Sequence, residues 1–340
     1  MSKSLLHVAL FLVGLIACSA AIQAVDTMPF WSWARQKVSG LEPVLDDYDT
    51  LFVGSSRIQR GVIPEVFDRR MAELGTPTRS FNLGFAGFIQ HDFEVLVDWV
   101  LERRPARLAR VLIELREWDQ GMRGNNWMTD HVIQMHTLGH LGQRLRSVWL
   151  TRDGMWERFE DAYFVCIHTL ANALRVGQGT RIVDDLLVRA QGRVPGGGAA
   201  ERDEGWENVD SALALPHRRR QHEAWRADPA RAANLLREKR DRLRRPPPDG
   251  QFNHAALQAQ AERLRAVGIE PIFVVMPSYN VGWLGRGGMA RAARAVRLLD
   301  MDDPDRFPTV FEFDRWFDND HLRLDGATAF SRRLAECLVE

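Results

Sequence analysis

Two short segments at opposite ends of the chain hold residue types suited to nucleophilic chemistry. The first, Asp49-Thr50-Leu51-Phe52-Val53-Gly54-Ser55-Ser56-Arg57, is an apolar run that breaks at a glycine and delivers two serines. The second, Asp318-Asn319-Asp320-His321-Leu322, is followed by Asp325-Gly326 and a helical pattern. A serine hydroxyl attacks poorly until a base takes its proton, so it needs a histidine within hydrogen-bond reach. His321 is the best placed of the 10 histidines, and Asp318, three residues earlier, can hold its ring in the productive tautomer. Taken alone, Asp318 and His321 are equally readable as loop caps before the last helix. Together with Gly54-Ser55-Ser56 they favour acyl transfer, with Ser56 as nucleophile, His321 as base and Asp318 as its orienting acid.

A second block, Ser80-Phe81-Asn82-Leu83-Gly84-Phe85-Ala86-Gly87, closes another apolar run with two glycines. Glycine lets a backbone approach a ligand closely, so an amide of Gly84 or Gly87 could steady an oxyanion. Asn82 is a further candidate donor; an ordinary tight turn is the alternative for the whole block. Arg57, beside the serine, suits a substrate carboxylate or phosphate, or else a surface ion pair.

These segments need a scaffold. Short runs rich in branched and aromatic residues predict strands at Thr50–Val53, Arg79–Leu83, Arg110–Leu115, Pro271–Met276 and Thr309–Phe313. Helical patterns lie between and after them at Ile63–Leu74, His91–Arg103, Gln251–Val267 and Ala327–Leu338, with Gly268 and Asp325 as caps. Such alternation predicts a parallel sheet covered on both faces, with ligands at the carboxyl ends of its strands. Ser56, Gly84, Pro277 and Asp318 all fall just past such ends.

The pattern fails across 120–250, which is read as an insertion after the third strand. It holds Trp127, Trp149, Trp156 and Tyr163-Phe164, then Gly196–Gly198, then an arginine-dense run to Pro246-Pro247-Pro248. Acids interleave with those arginines, as on a solvated helix; contact with anionic lipid or an anionic polymer is the alternative. At the other extreme, Leu5–Val25 is almost wholly apolar and about as long as the ~20 residues that cross a bilayer. Residues 1–26 therefore read as a retained signal anchor, a cleaved signal peptide, or a lipoprotein signal with Leu15-Ile16-Ala17-Cys18 as lipobox. Each outcome puts the remainder outside the cytoplasmic membrane.

With 45 basic and 45 acidic residues, the charge balance argues against general nucleic-acid binding. The 3 cysteines form no CxxC and no cysteine–histidine cluster, which argues against structural zinc.

On Gly54-Ser55-Ser56, Gly84 or Gly87, and Asp318-x-x-His321, the chain resembles the SGNH (GDSL-like) hydrolase superfamily. The similarity is to its branch of membrane-tethered polysaccharide O-acetyltransferases and D-alanyl transfer proteins. It covers Asp49–Asp119 and Gln251–Leu338. The resemblance implies an α/β fold, a flavodoxin-like three-layer α/β/α sandwich formed by 27–119 and 251–340, with no metal or organic cofactor. It departs at the third block. The family's Gly-x-Asn-Asp supplies an oxyanion donor, whereas here the strand ends Ile113-Glu114-Leu115-Arg116-Glu117-Trp118-Asp119. Arg116 replaces the asparagine, or the chain manages without it, or activity has been lost.

Two functions follow as expectations. One is an extracytoplasmic serine esterase or O-acyltransferase acting on an acylated envelope carbohydrate or lipid, with a membrane acyl-donor protein as a possible partner. The other is a degenerate domain that binds glycan or scaffolds an envelope complex. A flavodoxin-like nucleotide binder is disfavoured, since the first loop has neither GxGxxG nor a P-loop lysine.

Overall fold

The computed structural model describes residues 3–25, 32–116, 129–151, 154–176, 203–244, 254–280 and 296–340, with Val183 and Leu187 besides. Trp127, Gly196–Gly198, Pro246–Pro248 and the Glu117–Asp119 part of the third block lie outside the described residues. Contacts divide the chain into two compact units: 1–39 with 120–197, and 40–119 with 198–340. The stretch 120–250 is thus shared between the units.

The second unit is built on five parallel strands: β1 (Thr50–Gly54), β2 (Ser80–Gly84), β3 (Arg110–Glu114), β4 (Glu270–Val275) and β5 (Arg297–Asp300). Their order is β2-β1-β3-β4-β5, that of flavodoxin-like doubly wound sheets, whose connections reverse direction between β1 and β3. β1 and β2 are buried throughout; β1 reads as a nearly continuous apolar run, whereas β2 alternates, with the buried polar residues Ser80 and Asn82 flanking Phe81.

Helices flank the sheet. After a short 3-10 turn at Glu42–Asp47, the helices of this unit before β3 are Ser56–Gly61, Pro64–Glu73 and Gln90–Arg103. The first two pack on β2, and Gln90–Arg103 packs on β1 and β3. The carboxyl-terminal helix Leu324–Val339 packs against Pro64–Glu73, while His254–Arg265 packs on β4 and touches Gln90–Arg103. On the first of these faces Phe52, Leu112, Ile272 and Val274 meet Phe67, Phe330 and Leu334 in one core. Phe52 and Phe67 meet edge to face, 4.9 Å apart.

The edge strand differs from expectation. Thr309–Phe313 is not a strand; Val310 and Phe311 are buried from a run of turns, stacked beneath Trp316. Arg297–Asp300 takes the edge instead, pairing Phe273 with Leu298. Its half-exposed Arg-Leu-Leu-Asp carries too few apolar residues to stand out, whereas burial alone made Val310 and Phe311 look strand-like.

The first unit is helical: Lys3–Val25, the greater part of Ser32–Leu41, Asp130–Gln134, Leu141–Thr151 and Met155–Ala173. Lys3–Ala24 has mean hydropathy 2.5 and is long and apolar enough to cross a membrane. The last two helices pack together. Their interior is unusually polar. Arg144, fully buried, donates to the Met135 carbonyl at 2.7 Å, and burial brings its pKa down to about 9. Burial likewise brings His136 down to about 4; its Nδ1 lies 2.6 Å from the Val132 carbonyl.

One hydroxyl ties the last helix of the sheet unit to the segment after the serine turn. Ser331 Oγ accepts from the Ile63 N–H at 2.8 Å and lies 2.7 Å from the Ala327 carbonyl, all buried. Ser331→Ala leaves the Ile63 N–H unpaired, and a loss of about 1–3 kcal/mol in urea denaturation is expected.

Candidate active site

The serine turn is shaped by a carboxylate that lies on a neighbouring strand. β1 ends at Gly54, where a Cβ would sit 2.3 Å from Ile58 Cγ1 and 2.8 Å from Glu114 Oε2. Only glycine fits there. Ser55 then caps the short helix Ser56–Gly61, its hydroxyl accepting from the Arg57 N–H at 3.2 Å. The Ser55 N–H donates to Glu114 Oε2 at 2.6 Å. Glu114, at the end of β3, is wholly buried and also pairs with Arg57 Nε at 3.0 Å and Arg116 Nε at 3.9 Å. Ser56 emerges from this turn half-buried, at the β1–β3 switch point.

The Asp-x-x-His segment forms a tight loop closed by a bridge between Trp316 and Leu322. Asp318 Oδ1 accepts from the backbone N–H groups of Asp320 and His321, at 2.8 and 2.9 Å. His321 Nδ1 lies 2.9 Å from both Asp318 oxygens, and Nε2 lies 2.8 Å from Ser56 Oγ. With the ring proton on Nδ1, facing the carboxylate, Nε2 is the acceptor for the Ser56 hydroxyl. Burial works to raise the Asp318 carboxyl. Hydrogen bonds and charge from His321, and the two backbone donors, outweigh burial and hold it below its ordinary value of 3.8. Its contribution to stability is therefore present above that value and lost as pH falls through the lower native one.

Two helices from within 198–250 hold this loop in place. Gln221, in Pro216–Arg226, donates to Asp318 Oδ2 at 3.0 Å. Its neighbour His222 lies 2.7 Å from the Phe317 carbonyl and stacks on the Phe317 ring. Lys239, in Pro229–Arg244, reaches into the interior and donates to the carbonyls of Ser278 and Asn280, at 2.7 and 2.9 Å. It pairs with Asp302 at 2.6 Å, whose other oxygen accepts from the Ser278 N–H. The segment it secures then grips the relay loop. Ser278 Oγ and Asn280 Nδ2 bind the two oxygens of Asp320 at 2.7 and 2.6 Å, and the Tyr279 N–H meets the Asn319 carbonyl at 2.8 Å.

The structure thus brings Ser56, His321 and Asp318 together, with Arg57 and Arg116 beside them on Glu114. Arg116 also donates to the Phe88 carbonyl at 3.1 Å. Two expected donors have other work. Asn82 is fully buried, giving its amide hydrogens to the carbonyls of Ile58 and Val62 at 2.8 and 2.6 Å. Its oxygen accepts from the Gly84 N–H at 2.9 Å, so neither Asn82 nor Gly84 is left to face an oxyanion. Gly84 is glycine because a Cβ would lie 2.4 Å from the Gln59 backbone nitrogen. Gly87 differs: it is exposed in the following turn at φ +79°.

Glu114, Gln221 and Lys239 went unread as site residues. A lone acid ending an otherwise apolar strand was a signal for Glu114. Gln221 and Lys239 sit in a charge-rich run that offers none. No protein-family model matches the chain, and no curated protein matches it either.

Lys239 supplies a test of the support. Burial pushes Asp302 up to about 6 against the pull of Lys239, so at neutral pH the carboxylate depends on that ammonium. Lys239→Met strands it, with an expected loss of about 3–5 kcal/mol near pH 7.5. Without the ammonium the Asp302 value rises further, so protonation relieves the penalty as pH falls from that higher value, and the loss levels off below about 6. The double variant Lys239→Met/Asp302→Asn should lose less than the single one. Urea denaturation at two pH values reads both effects.

Proposed function

We propose that this protein is a serine esterase or O-acyltransferase of the SGNH type, acting outside the cytoplasmic membrane on an ester of an envelope carbohydrate or lipid. The observation that carries the reading is the unbroken relay Ser56–His321–Asp318, with both hydrogen bonds of the histidine at 2.8–2.9 Å. Nothing about loop capping requires His321 to reach a serine 265 positions away.

In this reading His321 Nε2 takes the hydroxyl proton as Ser56 Oγ attacks the acyl carbon. Asp318 steadies the imidazolium that results, without itself taking the proton. The tetrahedral oxyanion is met by the Ser56 N–H and by the turn at Gly87. His321 then hands its proton to the departing alcohol, leaving an acyl-serine. A sugar hydroxyl or water, deprotonated by His321, releases the acyl group and restores the serine. Arg57 and Arg116, held by one carboxylate, favour a substrate with negative charge near the ester. The apolar helix Lys3–Val25 serves as the anchor, and an acyl-donor protein in the same membrane is the natural partner for transfer.

The second reading, a degenerate binding or scaffold domain, is favoured by the engagement of Asn82 and Gly84 and by the missing third-block asparagine. Labelling the full-length chain with a fluorophosphonate probe separates the two. Wild type is expected to label, Ser56→Ala not at all, and His321→Ala at least ~10³-fold more slowly. A folded wild type that stays unlabelled supports the scaffold.

A further inference from the structure

Helix Met155–Ala173 of the first unit is polar inside and apolar outside. Its buried residues are Asp161, Val165, His168, Thr169, Ala171 and Asn172, four of the six polar. Asn172 donates inward to the carbonyls of Gln134 and His136, at 3.3 and 3.1 Å. On the opposite side, at steps of three and four, stand Trp156, Phe159, Tyr163, Cys166 and Leu170, all exposed. Trp156 is 81% exposed, Tyr163 61%, Phe159 56% and Leu170 55%. Trp149 of the preceding helix, itself exposed, meets Phe159 edge to face at 6.0 Å and widens the stripe.

A soluble helix turns its apolar stripe inward. Contiguous exposed apolar area of this kind marks a surface meant to be covered. What covers it is indicated by the far end of the helix. Ser19 Oγ and Gln23 Nε2 both donate to the carbonyl of Ala173, the last residue of Met155–Ala173, at 3.1 and 2.8 Å. These two donors lie near the end of the apolar helix Lys3–Val25, whose exposed surface from Val8 to Ile16 is wholly apolar. A helix of 23 residues is about 35 Å long, slightly more than the ~30 Å hydrocarbon layer, so Gln23 falls at a bilayer boundary and Ser19 about one turn inside it. The stripe they pin there mixes Trp and Tyr with Phe and Leu, as side chains at a lipid–water boundary do.

We propose that the Trp156–Leu170 face lies in the headgroup layer of the bilayer that Lys3–Val25 enters. The inference rests on that helix being a retained anchor, and is independent of the chemistry at Ser56. It explains the inverted polarity. The buried polar residues hold the unit together from within, and the lipid takes the apolar face.

The test uses the full-length chain in phosphatidylcholine nanodiscs, one copy per disc, with lipids brominated near the headgroup end of the acyl chain. The emission of Trp156, taken as wild type minus Trp156→Phe, is expected to fall about threefold or more with brominated lipid. Native Cys166 on the same face should react more slowly with a charged maleimide in the disc than after unfolding. Unquenched Trp156 emission overturns the proposal. If Cys166 is nevertheless protected, a protein surface covers the face instead. A chain that fails to enter discs overturns the anchor and this inference together, while fluorophosphonate labelling of Ser56 would be unaffected.

Discussion

A buried carboxylate on the central strand organises the carboxyl end of the sheet, where Ser56 and His321 meet. Glu114 is fully enclosed, and an enclosed charge is tolerated only when donors surround it. The Ser55 N–H and the guanidinium of Arg57 provide that surround, with Arg116 at its edge. Meeting this demand has consequences for the chain. Residue 54 must lack a Cβ, the backbone must turn sharply after β1, and Ser56 must emerge at the sheet's carboxyl edge. The electrostatics of one residue thereby fix the geometry of a hydroxyl on the neighbouring strand.

The other half of the relay has its own support. The loop bearing Asp318 and His321 is short and self-bonded, but its position depends on groups far away in sequence. Gln221 and His222 hold it directly, and Lys239 holds the segment against which Asp320 and Asn319 rest. Residues 203–244, which interrupt the α/β alternation between β3 and β4, are therefore part of the structure that orients Asp318. Their charge-rich composition conceals this, because the few side chains that turn inward are outnumbered by solvated arginines.

The two units meet opposite physical demands. The sheet unit buries continuous apolar strands under helices, as parallel sheets do. The helical unit buries Asp161, His168 and Arg144 and exposes tryptophan and phenylalanine. That inversion has a simple rationale only if part of its surroundings is apolar.

Much of the sheet is legible in the amino-acid sequence. Apolar strands ending in glycine or in polar loops announced a parallel sheet, because β1, β2, β3 and β4 are short buried runs whose composition is itself the signal. That Ser56, Asp318 and His321 meet could be anticipated, because each lies in a loop past a strand-like run and such loops gather at one end of a parallel sheet. The edge strand was not: Arg297–Asp300 is half exposed and pairs on one side only, while Val310 and Phe311 are buried without being extended. Nor were the roles of Asn82 and Gly84 visible, since hydrogen bonds to carbonyls of Ile58 and Val62 depend on how a helix lies across a strand. The amino-acid sequence by itself determined the strand and helix periods, the apolar helix near its start and the types of the side chains that meet at Ser56. Those depend on local composition and spacing. Only the tertiary structure decided which donors remain free, which carboxylate shapes the serine turn and which distant helices hold the acid, because each is a contact between residues that the chain order leaves far apart.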